Sequence, residues 1–247
     1  MTDVAVVIST CDKYSVLWPP FVHGFQKFWP DCPWPIRWVT NYLDAPLGEA
    51  VKTGDHSDWS RTSIAALTLV EADVILWIHE DNWLTEPIST PILLSLAALF
   101  NTQPDLNNIR LSNCYMSTIH KGDQGVYKPD TRLRVICQDS TQRCSLQPSF
   151  WRREAMLAVI RLGETPWVFE GEAPLRARTI PGVHVCCREG FYPLRFLSHV
   201  DPAGWGDEAM RRGKWTDAAK KYAIREDLTI DFSVNPDGTA GWMTSDL

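Results

Sequence analysis

Apolar residues along this chain come in two patterns: short solid runs, and longer stretches in which they recur every three or four positions. The run VAVVIS at 4–9 is β-branched and unbroken, as in a strand covered on both faces. Past Pro19 and Pro20, Phe21, Phe25 and Phe28 repeat at helical spacing, and proline is tolerated in a first turn because its missing donor would be unpaired anyway. PDCPWP breaks that helix, and IRWVTN at 36–41 is the next strand, which makes a βαβ start. LGEAVKTGDHSDW reads as a polar loop. After it, Ile64, Leu67 and Val70 give one stripe of a helix over 60–72 with Ser60 as its N-cap. VILWIH then predicts a third strand, ending in HEDN.

Farther on, TPILLSLAALFN at 90–101 predicts a helix and NIRLSN at 108–113 a strand, followed by a polar, irregular stretch from 114 to 146 around LRVICQ. QPSFWRREAMLAVIRL begins as strand and continues as helix, and ETPWVFEGEAPLRAR is a second helix. GVHVCCR and LRFLSHV read as late strands, WTDAAKKYAIRED as a short amphipathic helix, and the last dozen residues as a loose tail. No repeat, low-complexity run or linker divides the chain. The alternation of strands and helices predicts an α/β fold with a mostly parallel central sheet flanked by helices. In such sheets ligands bind in the crevice beyond the carboxyl ends of the strands, so STCDKY and HEDN both belong at that crevice.

Composition narrows the chemistry. The 247 residues carry a formal net charge of -6, which argues against a nucleic-acid partner with its usual basic footprint. Seven cysteines, scattered and without a CxxC pair, fit a reduced, cytoplasmic protein better than a disulfide framework or a zinc cluster. The N-terminus has neither signal-peptide nor anchor character, and ISTPILLSLAALF is too short and interrupted to span a bilayer. Twelve tryptophans are many for this length. A Trp-rich core is the plain reading, and flat platforms for a sugar or base are the other, favoured where Trp34, Trp59, Trp83, Trp167, Trp205 and Trp215 lie beside polar or proline-rich segments. There is no GxxxxGK[ST], no GxGxxG after the first strand and no GxSxG, which disfavours the common nucleotide hydrolases, dinucleotide enzymes and α/β hydrolases.

The adjacent carboxylates Glu80 and Asp81 remain. Two like charges at a strand end call for a cation, a proton or water. Hard divalent cations prefer carboxylate oxygens, and Mg²⁺ takes one or two of them together with substrate phosphates. Glu80 and Asp81 can therefore hold Mg²⁺ or Mn²⁺ against a diphosphate; the alternative is a pair that simply faces water. Lys214, in RRGKW, is a candidate to steady the diphosphate, and Trp215 beside it a candidate to stack on a ring.

The ordered segments VAVVISTCDKYSVLWPPFVHGFQKFWPDCPWPIRWVTN, DWSRTSIAALTLVEADVILWIHEDNWL, QPSFWRREAMLAVIRLGETPWVFEGE and RRGKW resemble a family of bacterial glycosyltransferases from capsule, O-antigen and other surface-polysaccharide clusters. The resemblance covers roughly residues 3 to 217. It implies a single GT-A-like, Rossmann-like domain over 1–247, with a nucleotide-sugar-binding part over about 1–113 and an acceptor and catalytic part over about 114–235. It also implies transfer of a sugar from a nucleotide-diphosphate donor to a glycan or glycolipid acceptor, with peripheral membrane contact where that acceptor is lipid-linked. Glu80-Asp81-Asn82 stands where the family has its metal-binding DxD element, without an Asp at both ends of the triplet. Thr10, Asp12 and Tyr14 fall in the loop that holds base and ribose, with Asp12 the natural acceptor for a base or ribose donor group. Asp58, Trp59 and Arg61 fall near the donor, Arg61 at a helix start that suits phosphate. His199 corresponds to a late histidine that completes the metal site in some GT-A enzymes.

An inverting transfer needs a base for the acceptor hydroxyl. Trp167 and Glu170 share a helix face, so an acceptor ring can stack on one while its hydroxyl meets the other. That spacing, with the family's PW-x-FE pattern, makes Glu170 the first choice and Glu172 the reserve. Two readings stay open beside the transferase: a catalytically silent sugar-nucleotide or carbohydrate-binding module, and a nucleotidyltransferase.

Overall fold

The computed structural model describes residues 3–54, 58–113, 123–197, 208–233 and 235. Nine strands share one sheet: β1 (Val4–Ser9), β2 (Ile36–Thr40), β3 (Glu49–Lys52), β4 (Val74–His79), β5 (Leu106–Arg110), β6 (Asp123–Val126), β7 (Leu133–Ile136), β8 (Ser149–Arg152) and β9 (Val183–Cys187). Their order is β3-β2-β1-β4-β8-β5-β9-β7-β6. β1 pairs in parallel with β2 and β4, as do β2 with β3 and β5 with β9, while β8 and β7 run against their neighbours. All strands but β7 and β8 therefore point the same way. The sheet is mostly parallel in direction, as the alternation of elements predicts.

Helices cover both faces. α1 (Trp18–Phe28), α3 (Thr90–Thr102) and α6 (Asp217–Arg225) pack on one side with Val6, Ile8, Leu76 and Ile78 beneath them. α2 (Trp59–Leu69), α4 (Arg153–Val159) and α5 (Pro166–Ala177) pack on the other, over Ala5, Val7, Ile75 and Trp77. The alternate residues of β1 and β4 thus feed two separate cores, which is why both strands read as solid apolar runs. Each buried Val, Leu or Ile contributes about 1.5–3 kcal/mol, so burial and not loop chemistry fixes their place at the centre.

Two successive arginines tie the layers together where β8 passes into α4. Arg152 donates to the carbonyls of Phe100, Gln103 and Leu106, closing the end of α3 on one face. Arg153 donates to Leu67 and Ala72, closing the end of α2 on the other. Cations at helix C-termini satisfy carbonyls that have no intrahelical partner and sit favourably against the helix dipole.

Some local expectations are corrected. The polar stretch after β2 contains β3, an edge strand whose outer residues are exposed, so it lacks the apolar run that marks a central strand. VILWIH is accordingly the fourth strand. LRVICQ carries β7 within the irregular stretch, between β9 and β6; only its first and last residues are fully buried, which gives a weak signal. The described part of LRFLSHV is no strand: its pairing with residues 83–85 stops at an isolated bridge from Phe196 to Leu84, flanked by Thr85 N donating to Arg195 O at 3.0 Å and Leu197 N donating to Trp83 O at 2.9 Å, while Leu194, Phe196 and Leu197 are buried. The N-cap of α2 is Asp58, whose side chain accepts from Arg61 N at 2.6 Å. Ser60 is buried and accepts from Glu164 N instead.

Candidate functional site

β1 and β4 lie side by side with Ser9 opposite His79, so the loops that leave them emerge together at one edge of the sheet. From there the chain proceeds from β1 toward β2 and β3 on one side, and from β4 toward β5 on the other. Connections that part in this way leave a crevice at the carboxyl edge.

The acidic residues fill a closed reverse turn at that crevice. Asn82 N donates to His79 O at 3.0 Å, and Asn82 Oδ1 accepts from His79 N at 3.2 Å, which leaves Glu80 and Asp81 as the two central residues. Glu80 is only 6% exposed and forms no ion pair with a basic side chain among the described residues. Burial, and then the neighbouring Asp81 charge, push its carboxyl well above the usual range. Across the crevice, burial and then Glu80 raise the Cys11 thiol, so the β1 loop and the acidic turn lie within electrostatic reach. His79 is held from below. Trp77 Nε1, which can only donate, is 3.2 Å from His79 Nε2, placing the ring proton on Nδ1. Burial lowers the His79 pKa to about 4, so the ring is neutral near pH 7.

The β1 loop continues as a short 3-10 helix, Asp12–Leu17. Thr10 Oγ1 accepts from the Trp18 indole at 2.8 Å, and Thr10 is itself buried. Asp12 has a visible structural task that its sequence position does not announce. Its Oδ1 accepts from Asn41 N at 2.8 Å, and its Oδ2 accepts from Tyr42 N at 2.8 Å and Leu43 N at 3.0 Å. Both carboxylate oxygens therefore hold the loop that leaves β2, and a base or ribose would have to share them. Tyr14 sits within the 3-10 helix, half-buried, with Lys13 Nζ 5.8 Å from its ring centre.

The remaining candidates are spread around this edge. Asp58 serves α2 as its cap; the Arg61 amide and the Ser60 hydroxyl hold its carboxyl below the usual range against the opposing effect of burial. The Arg61 guanidinium is mostly exposed, 3.6 Å from Asp58. At the start of α5, Trp167 stands 69% exposed. Glu170 Oε1 accepts from Ser145 Oγ at 2.9 Å and Leu146 N at 2.8 Å, fastening α5 to the segment that leads into β8. Glu172 is exposed on the same helix. Lys214 lies on a hairpin of β10 (Met210–Arg211) and β11 (Lys214–Trp215), opposite Arg211. Positive φ at Arg212 (51°) and Gly213 (79°) gives the mirror-image turn that suits a tight hairpin. Ala209 N donates to Asp81 O at 3.4 Å, so this basic hairpin hangs from the acidic turn. His199 and Trp205 lie outside the described residues.

Most of the tryptophans belong to the core. Trp83 and Trp215 are fully buried against each other and Tyr222 or Phe232, Trp34 packs on Trp29 and Phe150, and Trp59 meets Phe169 edge-on. Of the six that lie beside polar or proline-rich segments, Trp167 alone among those described is an exposed platform. Tyr42 also stands at this edge without a site motif that points to it, while His79 falls within HEDN and Arg211 and Arg212 within RRGKW.

Among the described residues no three His, Cys, Asp or Glu side chains gather as a metal cage. Glu80 and Asp81 offer two hard oxygen donors, which suits a cation shared with substrate phosphates better than one held by protein alone. No helix among the described residues is long and apolar enough to cross a membrane.

No family model matches this sequence, and no curated protein matches it. Among solved structures it is similar to residues 1–349 of S. aureus TarS, with 11% identity and a TM-score of 0.49 over 93% of this chain and 66% of that one. It is also similar to CMP:2-keto-3-deoxy-manno-octonic acid synthetase complexed with CTP, with 15% identity and a TM-score of 0.46 over 75% of this chain and 89% of that one. A third is UDP-glucose pyrophosphorylase complexed with UDP-glucose, with 9% identity and a TM-score of 0.46 over 79% and 92% of the two chains. These likenesses assign neither an activity nor a residue to this chain.

Proposed function

We propose that the protein is a glycosyltransferase that moves a sugar from a nucleotide-diphosphate donor to a glycan acceptor. The observation that carries this reading is Glu80: a buried carboxyl, raised by burial and by Asp81, with no basic partner among the described residues, at the crevice between β1 and β4. A buried carboxyl beside a second carboxylate and without a basic partner resists ionisation, and a cationic ligand at the crevice offsets that cost. In this reading Asp81 and Glu80 would hold Mg²⁺ or Mn²⁺, whose positive charge would offset that of the diphosphate. Lys214, on the hairpin tied to Asp81 O, faces away from the buried Trp215 by strand alternation and is the diphosphate's side-chain partner. The base and ribose lie along the loop from Thr10 to Tyr14, and Arg61 stands at the α2 start on the donor side. Trp167 offers the acceptor ring a face. Glu172, free of the ties that occupy one oxygen of Glu170, takes over as first choice for the base, with Glu170 acting through its second oxygen as the other. The single-domain organisation and the surface-polysaccharide role belong to the same proposal.

Incubation with UDP-, GDP-, CMP- and dTDP-sugars, each with Mn²⁺, tests it. Slow release of free nucleotide from one donor is the expected result. Binding without turnover points instead to a silent module, and pyrophosphate release from a nucleoside triphosphate points to a nucleotidyltransferase; either result overturns the proposal.

A further inference from the structure

The loop leaving β2 is fastened at Asn41, Tyr42 and Leu43, yet it presents the side chains of Tyr42 and Leu43 to water. Asn41 N, Tyr42 N and Leu43 N all donate to the Asp12 carboxylate. The Asn41 side chain accepts from Asp12 N at 3.1 Å and donates to Gly54 O at 2.8 Å, while Thr40 Oγ1 donates to Leu43 O at 2.9 Å. Gly54 N closes the ring by donating to Asn41 O at 3.1 Å. On this rigid frame Tyr42 is 63% exposed and Leu43 45% exposed. An exposed aromatic on a mobile loop calls for no explanation. One whose backbone is fixed by a carboxylate from the neighbouring strand's loop is pre-organised, and rigid aromatics make contacts at low conformational-entropy cost.

Location supplies the ligand class. β2 is the parallel neighbour of β1, so Tyr42 stands at the carboxyl edge beside the 10–14 loop and one strand farther from the acidic turn. If the diphosphate lies at Glu80 and Asp81, the far end of a nucleotide extends toward this rim. We propose that Tyr42 is the stacking platform for the planar base of the nucleotide, with Asp12 as the positioning residue that holds it. This assignment rests on the nucleotide-sugar reading and deepens it. A ring face recognises any base by stacking, so Tyr42 supplies affinity while discrimination between bases falls to polar groups around it.

Calorimetry on the full-length protein with UDP, GDP, CDP, ADP and dTDP, and with inorganic pyrophosphate as a base-free probe, tests the assignment. Tyr42→Ala is expected to weaken the preferred nucleotide roughly 5- to 150-fold, the range for loss of one base–aromatic stack. Tyr42→Phe and Tyr42→Trp keep a ring face and should stay within about threefold of wild type. Pyrophosphate binding should be the same in all four proteins. Unchanged nucleotide affinity in Tyr42→Ala, or an equal loss for nucleotide and pyrophosphate, overturns the platform. Failure of the wild-type protein to bind any nucleoside diphosphate overturns the transferase reading and takes this assignment with it.

Discussion

Replacing Asp12 by asparagine separates the two tasks that a carboxylate in this loop could perform. The substitution keeps one oxygen, which can still accept from Asn41 N, and turns the other into an amide that faces the N–H groups of Tyr42 and Leu43. Two hydrogen bonds to a charged acceptor are lost, nominally about 1.5–3 kcal/mol each. Both lie in an exposed part of the loop, where water replaces much of what is lost. A net destabilisation of about 2–3 kcal/mol follows, which for a chain of this length lowers Tm by roughly 4–12 °C. Thermal unfolding followed by circular dichroism gives the magnitude, and amide hydrogen exchange gives the place. The Tyr42 and Leu43 amides should exchange slowly in wild type and fast in the variant, with the core strands unaffected. A variant that melts within about 1 °C of wild type, keeps slow exchange at both amides and has lost nucleotide binding would refute the loop-holding role and return Asp12 to the ligand.

Further expectations follow from the buried acids and the exposed aromatic. Glu80 has a raised pKa, so the native state holds its proton more tightly than the unfolded chain does, and wild-type stability is eroded as pH rises above the usual glutamate range. Glu80→Gln should match wild type near pH 4, be more stable by about 1–3 kcal/mol near pH 8, and lose activity; a less stable variant at pH 8 would contradict the buried-acid account. Glu226 has the opposite sign. Burial opposes its ionisation, but Lys27 at 2.7 Å, His23 at 3.1 Å and Arg225 at 2.7 Å outweigh it and lower the pKa. Glu226→Gln should therefore destabilise the packing of α6 on α1 by about 1.5–3 kcal/mol at pH 7, with the gap closing as pH falls through the native pKa, below the usual glutamate value; equal melting at pH 7 would show the cluster to be idle. Trp167→Ala should leave Tm within about 1 °C, because the side chain is 69% exposed, and raise the acceptor KM; an unchanged KM removes the platform.

What the sequence revealed about the fold tracks how completely an element is buried. VAVVIS and VILWIH have almost nothing but buried positions, and both strands fall at the residues their runs indicate. EAVK has exposed residues at both ends and lies at the sheet's edge, so its pairing with β2 leaves no trace in hydrophobicity. LRFLSHV failed for the converse reason. Its apolar residues are buried, but its backbone pairing with residues 83–85 stops at a single bridge, and burial does not by itself extend a ladder. At the site, the convergence of the STCDKY and HEDN loops was legible because it follows from strand order. The engagement of Asp12 with residues 41–43 and the tie from Glu170 to Ser145 and Leu146 were not, since each joins segments distant in sequence through backbone amides that no residue type announces. Trp83 and Trp215 misled for a related reason: polar neighbours in sequence say little about where an indole packs.

The claim that Glu80 and Asp81 form a shared cation and diphosphate site is tested most directly by calorimetry on wild type and Asp81→Asn. The titrant is the nucleoside diphosphate of whichever donor the protein turns over, in Mn²⁺ and again in EDTA. Wild type should bind it at least about tenfold more tightly with Mn²⁺, a difference of about 1.4 kcal/mol, while Asp81→Asn, folded by circular dichroism, binds equally weakly in both buffers. The same affinity with and without metal in wild type, or a metal response preserved in Asp81→Asn, would contradict it.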